Sequence, residues 1–446
     1  MHTGRLLPVP RSAVPAALAC AVALALALRP AAARAADAPD SLLSAPRLDL
    51  ALLERAVLRR NPSLAAAAAA WQAARARSRG EGSVGGPRLD LSLAPGSLGS
   101  DLGAAYRVGV GQDLARFGRR GLAREAAGAD SRAAGDDYRT AALDLLREAR
   151  SAYFDAYLAE RALEVIREQS DLVDQLRRTA LAKYSAGTSS LQDALQAEAE
   201  AAMLDHQRVA LERERREVGI RINALLWLPP ATVLPPPPSE LAMPAPPDSS
   251  GSLDSLRAQA ERARPEVRAA QAAVDAARAR LELARRGRLP EVMVEGAFDR
   301  FMDRSETRAT LGVGMSLPFL SGLSGAAADA ASAELAGARH RLDAARNRVG
   351  LEVGDALARL AEAHHEVEVM GASVVPTTEQ ALRAVRANYE ANRTDFVVLL
   401  NSERDFASAR LDYFRALADY GQAHTDLDRA VGLLPPGIPG GGNRDE

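Results

Sequence analysis

The sequence has a single cysteine, Cys20, and it lies in an apolar leader, so the rest of the chain has no thiol with which to build a disulfide framework. Lysine is as scarce: Lys183 stands alone among 56 basic residues, and arginine carries nearly all the positive charge. Positive charge is not in excess either. Against 58 acidic residues the balance is −2, and without Arg5, Arg11, Arg29 and Arg34 it is −6, which excludes a general nucleic-acid binder. Beyond the leader no segment is apolar enough to cross a bilayer as a helix, so an inner-membrane helix bundle is excluded. No Walker loop, dinucleotide loop or nucleophile elbow occurs, and Ser, Asp and His are scattered. Neither an enzyme nor a cofactor is expected. There is no methionine cluster to carry copper. His364 and Glu368, with His365 and Glu366 beside them, share a helix face at i, i+4, but on so charged a helix they read as a solvated face, and no metal site is expected.

What is present begins with the leader. Arg5 and Arg11 precede an apolar run from about Ala13 to Leu28, followed by Ala33-Arg34-Ala35, a small-residue cleavage pattern. This is the layout of a secretory signal over residues 1–35. The apolar run continues past Cys20 instead of turning polar, which argues against lipid attachment there.

The remaining chain reads as a duplication. Asn61-Pro62 matches Arg264-Pro265, Pro87 matches Pro290, Gly109 matches Gly312 and Gly111 matches Gly314, all 203 residues apart. Further on, "KYSAGTSSLQDALQ" (183–196) has its echo in "NYEANRTDFVVLLN" (388–401). The expected domains are a first repeat over 36–228, a Pro-rich connector over 229–252, a second repeat over 253–434 and a disordered tail over 435–446.

Each repeat has the same order of parts. An Ala- and Arg-rich helix (47–79, 253–287) leads into two segments of alternating polarity, 88–94 with 105–112 and 291–298 with 309–317. Period two means strand. A long unbroken helical stretch follows. In the second copy Val349, Val353, Ala356, Leu360, Ala363 and Val367 form a heptad seam, and past the echo Leu399, Phe406, Tyr413, Tyr420 and Leu427 recur every seven residues. These are coiled-coil helices, folded back on themselves at tips near 184–190 and 389–395. Each long helix has about 66 residues and reaches about 100 Å at 1.5 Å per residue. The fold class is mainly α with a small β part. Four strands cannot close a barrel alone, since about eight are the minimum, yet one face of each strand is apolar and the other carries Gly, Ser, Thr and Arg, the polarity of a barrel with lipid outside and water inside. The chain must then oligomerise.

These parts resemble the outer-membrane efflux proteins of the TolC family over nearly the whole chain. The resemblance rests on "NPSLAAA" (61–67), "GVGQDLARFGRR" (109–120), "INALLWLPP" (222–230), "GVGMSLPFLSG" (312–322) and "VPTTEQALRAVRANYEANRTDFVVLLNSERD" (375–405) in that order. Pro376 ahead of "NYEAN" is most like the heavy-metal cation efflux (CzcC-like) branch. The resemblance implies a homotrimeric α/β barrel in the outer membrane with four transmembrane strands per chain and a long periplasmic portion. It further implies a passive duct for a tripartite pump, fed by a periplasmic membrane-fusion adaptor and an inner-membrane transporter of the RND type. The implied adaptor contacts are Gly187, Thr188, Asn392, Arg393 and Thr394 at the tips. The implied periplasmic gate is Asp193 with Tyr389, then Arg393, and an apolar ring at Phe396, Val397 and Leu400. Thr394 stands where the family has a gating arginine, and Val398 and Asn401 where it has tip carboxylates, so an acidic constriction is not expected. The rival class is a periplasmic coiled-coil adaptor or scaffold that never enters a membrane, which would have no use for the four strands.

Overall fold

The computed structural model describes residues 42–81, 83, 85–94, 105–115, 118–187, 190–241, 253–300, 308–317 and 323–433. The leader with Cys20, the tail, Thr188, most of the loops between paired strands and the end of the Pro-rich connector lie outside them. In chain order the elements are α1 (Leu50–Arg60), α2 (Pro62–Gly80), β1 (Arg88–Leu93), β2 (Tyr106–Ala115), α3 (Arg119–Ser185) and α4 (Leu191–Leu225). The second repeat supplies α5 (Leu253–Ala263), α6 (Pro265–Arg286), β3 (Glu291–Asp299), β4 (Ala309–Ser316), α7 (Leu323–Val369), a π-turn (Met370–Val374), α8 (Val375–Glu390) and α9 (Phe396–Val431).

Each repeat opens with two helices where the sequence suggests one. Proline has no N–H and disfavours helical backbone in the residue before it, so Asn61 and Arg264 are both extended and the helices break there. Asn61 turns the break into a cap: its Oδ1 accepts from the Ser63 N–H at 2.9 Å. The long helix of the second repeat also has an interruption the heptad pattern does not show. Ahead of Pro376 the backbone widens into the π-turn, where the Val375 N–H reaches the Met370 carbonyl, an inserted residue of the kind that bends a helix.

Helix α3 has 67 residues, a rod of about 100 Å at 1.5 Å per residue. It is the spine. α4 runs back along it, α9 packs on its other side, and α8 lies against α9. Near the sheet α3 carries α2 and α6, and α7 packs on α6 and α9. Buried apolar residues form three clusters along the rod: one near the tips (Ile166, Val173, Leu204, Leu399), one where α1 crosses α3 (Leu53, Val57, Leu146, Ile222), and one joining α6, α7 and α9 (Val274, Leu335, Val353, Leu427). From α4 the chain leaves over Pro229 to Leu241 as a strap across the rod. Asn223 pins it by donating to the carbonyls of Pro230 (3.1 Å) and Thr232 (2.9 Å), and the Leu48 N–H bonds to Pro236 O at 2.8 Å. Trp227, at the head of the strap, is held in the left-handed region (φ 56°) with its ring largely exposed.

The four strands make one antiparallel sheet in the order β1-β2-β3-β4. Among the described residues both edges, β1 and β4, are unpaired. Leu91 pairs with Val108, Val108 with Phe298, Val294 with Val313 and Gly296 with Leu311, which fixes the side each residue takes.

Candidate functional site

Paired residues of an antiparallel sheet share a face. One face therefore gathers Leu89, Leu91, Leu93, Val110, Leu311, Val313 and Met315, all exposed within the single chain. The opposite face gathers Asp90, Arg107, Gly109, Gly111, Glu295, Thr310, Gly312 and Gly314, with Arg107 donating to Glu295 at 3.0 Å. An apolar face of this kind cannot be left in water as a stable surface, and the polar face with its glycines leaves room for solvent.

The second site is the pair of tips. Gly187 (φ 73°) and Asn392 (φ 55°) occupy the left-handed region, as the turns require: after α8 the Arg393 N–H bonds to Asn388 O at 2.8 Å and the Asn392 N–H to Tyr389 O at 3.0 Å. Lys183, at the end of α3, joins the tips of the two repeats. Its Nζ donates to Asn392 Oδ1 at 3.1 Å and lies 4.1 Å from the centroid of the Tyr389 ring. Tyr389 is buried against Phe396, and its hydroxyl has no hydrogen-bond partner among the described residues. Burial first, and then the charge of nearby Asp193, raise its pKa above the ordinary tyrosine value. Thus the Asp193–Tyr389 hydrogen bond is not formed within one chain.

The expected apolar ring divides. Phe396 and Leu400 are packed into the tip core together with Leu399, because they occupy the seam that α9 turns toward α8 and α3; Val397, one residue round the helix, is exposed. Arg393 is exposed and Thr394 half-buried. Two carboxylates outside the expected tip set are buried beside them. Glu403 pairs with Arg386 at 2.8 Å and is raised by burial, and Glu200 pairs with Arg404. Their signal in the sequence is a charge placed at a seam position, Glu403 standing seven residues after Phe396.

Between sheet and tips, charge pairs tie the repeats together. Arg264, almost wholly buried, binds Glu266 (2.6 Å) and Glu352, and Arg429 reaches Asp144 (2.8 Å), Glu266 (2.9 Å) and Glu352 (3.2 Å). Arg150 similarly bridges Glu54 (2.5 Å) and Asp428 (2.7 Å). Burial would raise Glu266 and Asp428, but the hydrogen bonds and charges of Arg264 on one, and of His424 and Arg150 on the other, outweigh it and hold both below their ordinary values. Among the described residues no group of three His, Cys, Asp or Glu side chains could hold a metal ion, and His364 and Glu368 face each other only at 3.8 Å.

The family described as outer membrane efflux protein matches residues 53–226 and 256–433, one block for each repeat. The chain belongs to that family. The outer membrane efflux protein is 22% identical over 305 residues to the cobalt-zinc-cadmium resistance protein CzcC of Cupriavidus metallidurans, covering 65% of this chain and 68% of that one. Its fold is that of the outer-membrane channel OprN (TM-score 0.73, 23% identity, 86% of this chain and 89% of that one) and of VceC from Vibrio cholerae (TM-score 0.72, 17% identity, 86% and 96%). It is a channel protein of the outer membrane with a long periplasmic helical part, of the TolC type, and not an enzyme. The alternative of a scaffold that stays out of the membrane falls with that membership.

Proposed function

We propose that this outer membrane efflux protein is the passive exit duct of a tripartite efflux system. The observation that carries the reading is the four-stranded sheet, with an exposed apolar face, a polar glycine-bearing face and two open edges. Three copies edge to edge make a barrel of twelve strands with its apolar face toward lipid, and three sets of rods continue the duct through the periplasm. A signal over residues 1–35 would deliver the chain there. Gly187, Thr188, Asn392, Arg393 and Thr394 are placed for contact with a periplasmic adaptor, which links the duct to an inner-membrane transporter. Asp193 and Tyr389 form the resting closure: the Tyr389 hydroxyl lacks an acceptor, a buried donor of that kind is costly, and the Asp193 carboxylate is near enough to feel. Val397 narrows the same mouth.

Heavy-metal cations are the proposed cargo, on the likeness to CzcC. They need no tight ligand in an exit duct. Two measurements test the reading. Extraction from outer membranes as a heat-sensitive trimer is expected, and a monomer would overturn the duct. A deletion strain should lose tolerance to divalent metals several-fold; unchanged metal tolerance with new sensitivity to drugs would replace the cargo and keep the duct.

A further inference from the structure

Helices α4 and α9 hold the same place in the two repeats and end in the same turn. The Leu228 N–H bonds to Asn223 O at 2.8 Å and the Trp227 N–H to Ala224 O at 3.1 Å; in the second repeat the Leu433 N–H bonds to Asp428 O at 2.9 Å and the Gly432 N–H to Arg429 O at 3.1 Å. Each residue of the first turn lies 205 positions ahead of its counterpart, the spacing that also separates Tyr184 from Tyr389. This closure puts the residue after the helix in the left-handed region, where glycine is usual. Gly432 fits that rule at φ 82°, and Trp227 breaks it at φ 56°. The other left-handed positions among the described residues are Gly118, Gly187 and Asn392, types that tolerate them, whereas a bulky side chain there is strained.

Packing does not offset the strain. Trp71 is half-buried and stacked on Tyr138 with ring centroids 5.8 Å apart, but Trp227 is 72% exposed in the chain. A strained residue without burial directs attention to what its ring meets. Depth narrows the choice. Arg221 pairs with Asp155 at 2.7 Å, and α4 runs back along α3, so Trp227 is level with Ala149. That is about 45 Å from the start of α3 at the sheet and about 54 Å from its end at the tip, at 1.5 Å per residue. Bilayer and tips are both out of reach. A periplasmic rod at that depth passes through the cell wall, a mesh of amino-sugar strands that carry lactyl and peptide carboxylates.

An indole offers a flat apolar face to the C–H side of a sugar ring and an N–H to its hydroxyls. Beside it, α4 and the strap enclose a groove of about 700 Å³ lined by Ile220, Asn223, Pro230 and Val233, with Glu160, Arg215 and Arg216 as its charged residues. Arg215 reaches Glu160 at 3.4 Å, and Arg216 has no ion-pair partner among the described residues, so the groove has one positive charge to spare. We propose that Trp227 is a docking platform for the glycan of the cell wall: a sugar ring stacks on the indole, the attached peptide enters the groove, and Arg216 holds one of its carboxylates. The proposal asks for a periplasmic rod and for no particular cargo, so its failure and that of the efflux reading are separate.

The test sediments the purified full chain with isolated cell-wall sacculi from which trypsin has removed the attached proteins. The wild type and Trp71→Phe are expected to bind alike. Trp227→Gly is expected to weaken binding about tenfold, the loss of one ring contact, with an equal or higher urea midpoint because the strain is gone. Trp227→Tyr keeps a ring and should keep most of the binding. Arg216→Gln should weaken it about fivefold, and only on walls that retain their peptides. Binding of Trp227→Gly at wild-type strength overturns the platform. A lower urea midpoint in that variant also overturns it, by making the ring part of the packing. Binding seen only on sacculi that keep their proteins assigns the ring to a wall-bound protein instead. In Trp71→Phe the one remaining indole is Trp227, so soluble wall fragments from muramidase digestion should shift its emission to the blue and protect it from acrylamide. An indole already shielded before they are added is covered by another part of the assembly, and the proposal fails.

Discussion

Tyr389 is buried with its hydroxyl unsatisfied among the described residues while Asp193 stands near enough to raise its pKa, and the proposed closure would supply, at the residue scale, the bond that is missing. A hydrogen bond to a charged group contributes about 1.5–3 kcal/mol, little for one copy but threefold in a symmetric ring. Asp193→Ala with Tyr389→Phe is expected to leave folding and assembly intact, raise single-channel conductance in planar bilayers and sensitise cells to large antibiotics. Conductance equal to wild type, at equal trimer levels, would move the closure to Val397. Arg264 presents the reverse case, a buried charge with every partner in place. Arg264→Ala leaves Glu266 and Glu352 with Arg429 as their remaining partner and should cost about 3 kcal/mol, the lower end for breaking a buried pair, read as a lower urea midpoint.

At the scale of elements, the strands and the ion-paired middle of the rod respond to different insults. Val294 and Val313 are cross-strand neighbours on the apolar face, and Thr310 pairs with Ala297 on the polar one. Val294→Arg or Val313→Arg should each cost about 2–4 kcal/mol near the bilayer midplane and impair barrel assembly, while Thr310→Arg should be tolerated. Equal trimer yields from all three would mean that the sheet does not meet lipid. The middle of the rod is instead sensitive to acid. Glu266 and Asp428 are held below their ordinary values of 4.5 and 3.8, so their contribution is complete above those values and is lost as the pH falls through the lower ones. Glu403, raised by burial, has the opposite sign. Urea midpoints measured downward from pH 6 are expected to fall below about pH 4.5, with the part below about pH 3.8 reduced in Asp428→Asn and the part owed to Glu266 retained.

Over the whole molecule, the parts that repeat were the legible parts. Alternation at Leu89, Leu91 and Leu93 gives both the strand and its lipid face, and the heptads through Val353 and Leu427 give the rods, because burial acts on every turn and leaves a period. Interruptions leave none. The π-turn before Pro376 changes one hydrogen bond without disturbing the seam, and the breaks at Asn61 and Arg264 follow from single prolines that an Ala-rich context hides. At the tips, the turn residues were visible through Gly187 and Asn392, but the packing of Phe396 and Leu400 into the core depends on where α9 meets α8 and α3, which spacing alone does not decide. The lattice of Arg264, Glu352 and Arg429 joins residues from three elements, so no local pattern announces it. Lys183 was visible as a rarity, with its place against Tyr389 and Asn392 supplied only by the fold. That rarity makes the tip an address for amine chemistry. A succinimidyl ester added to the assembled protein meets two amines per copy, Lys183 and the chain N-terminus, so a dye at the tip of every copy is obtained without mutagenesis. On the proposed adaptor contact, its emission should shift on docking.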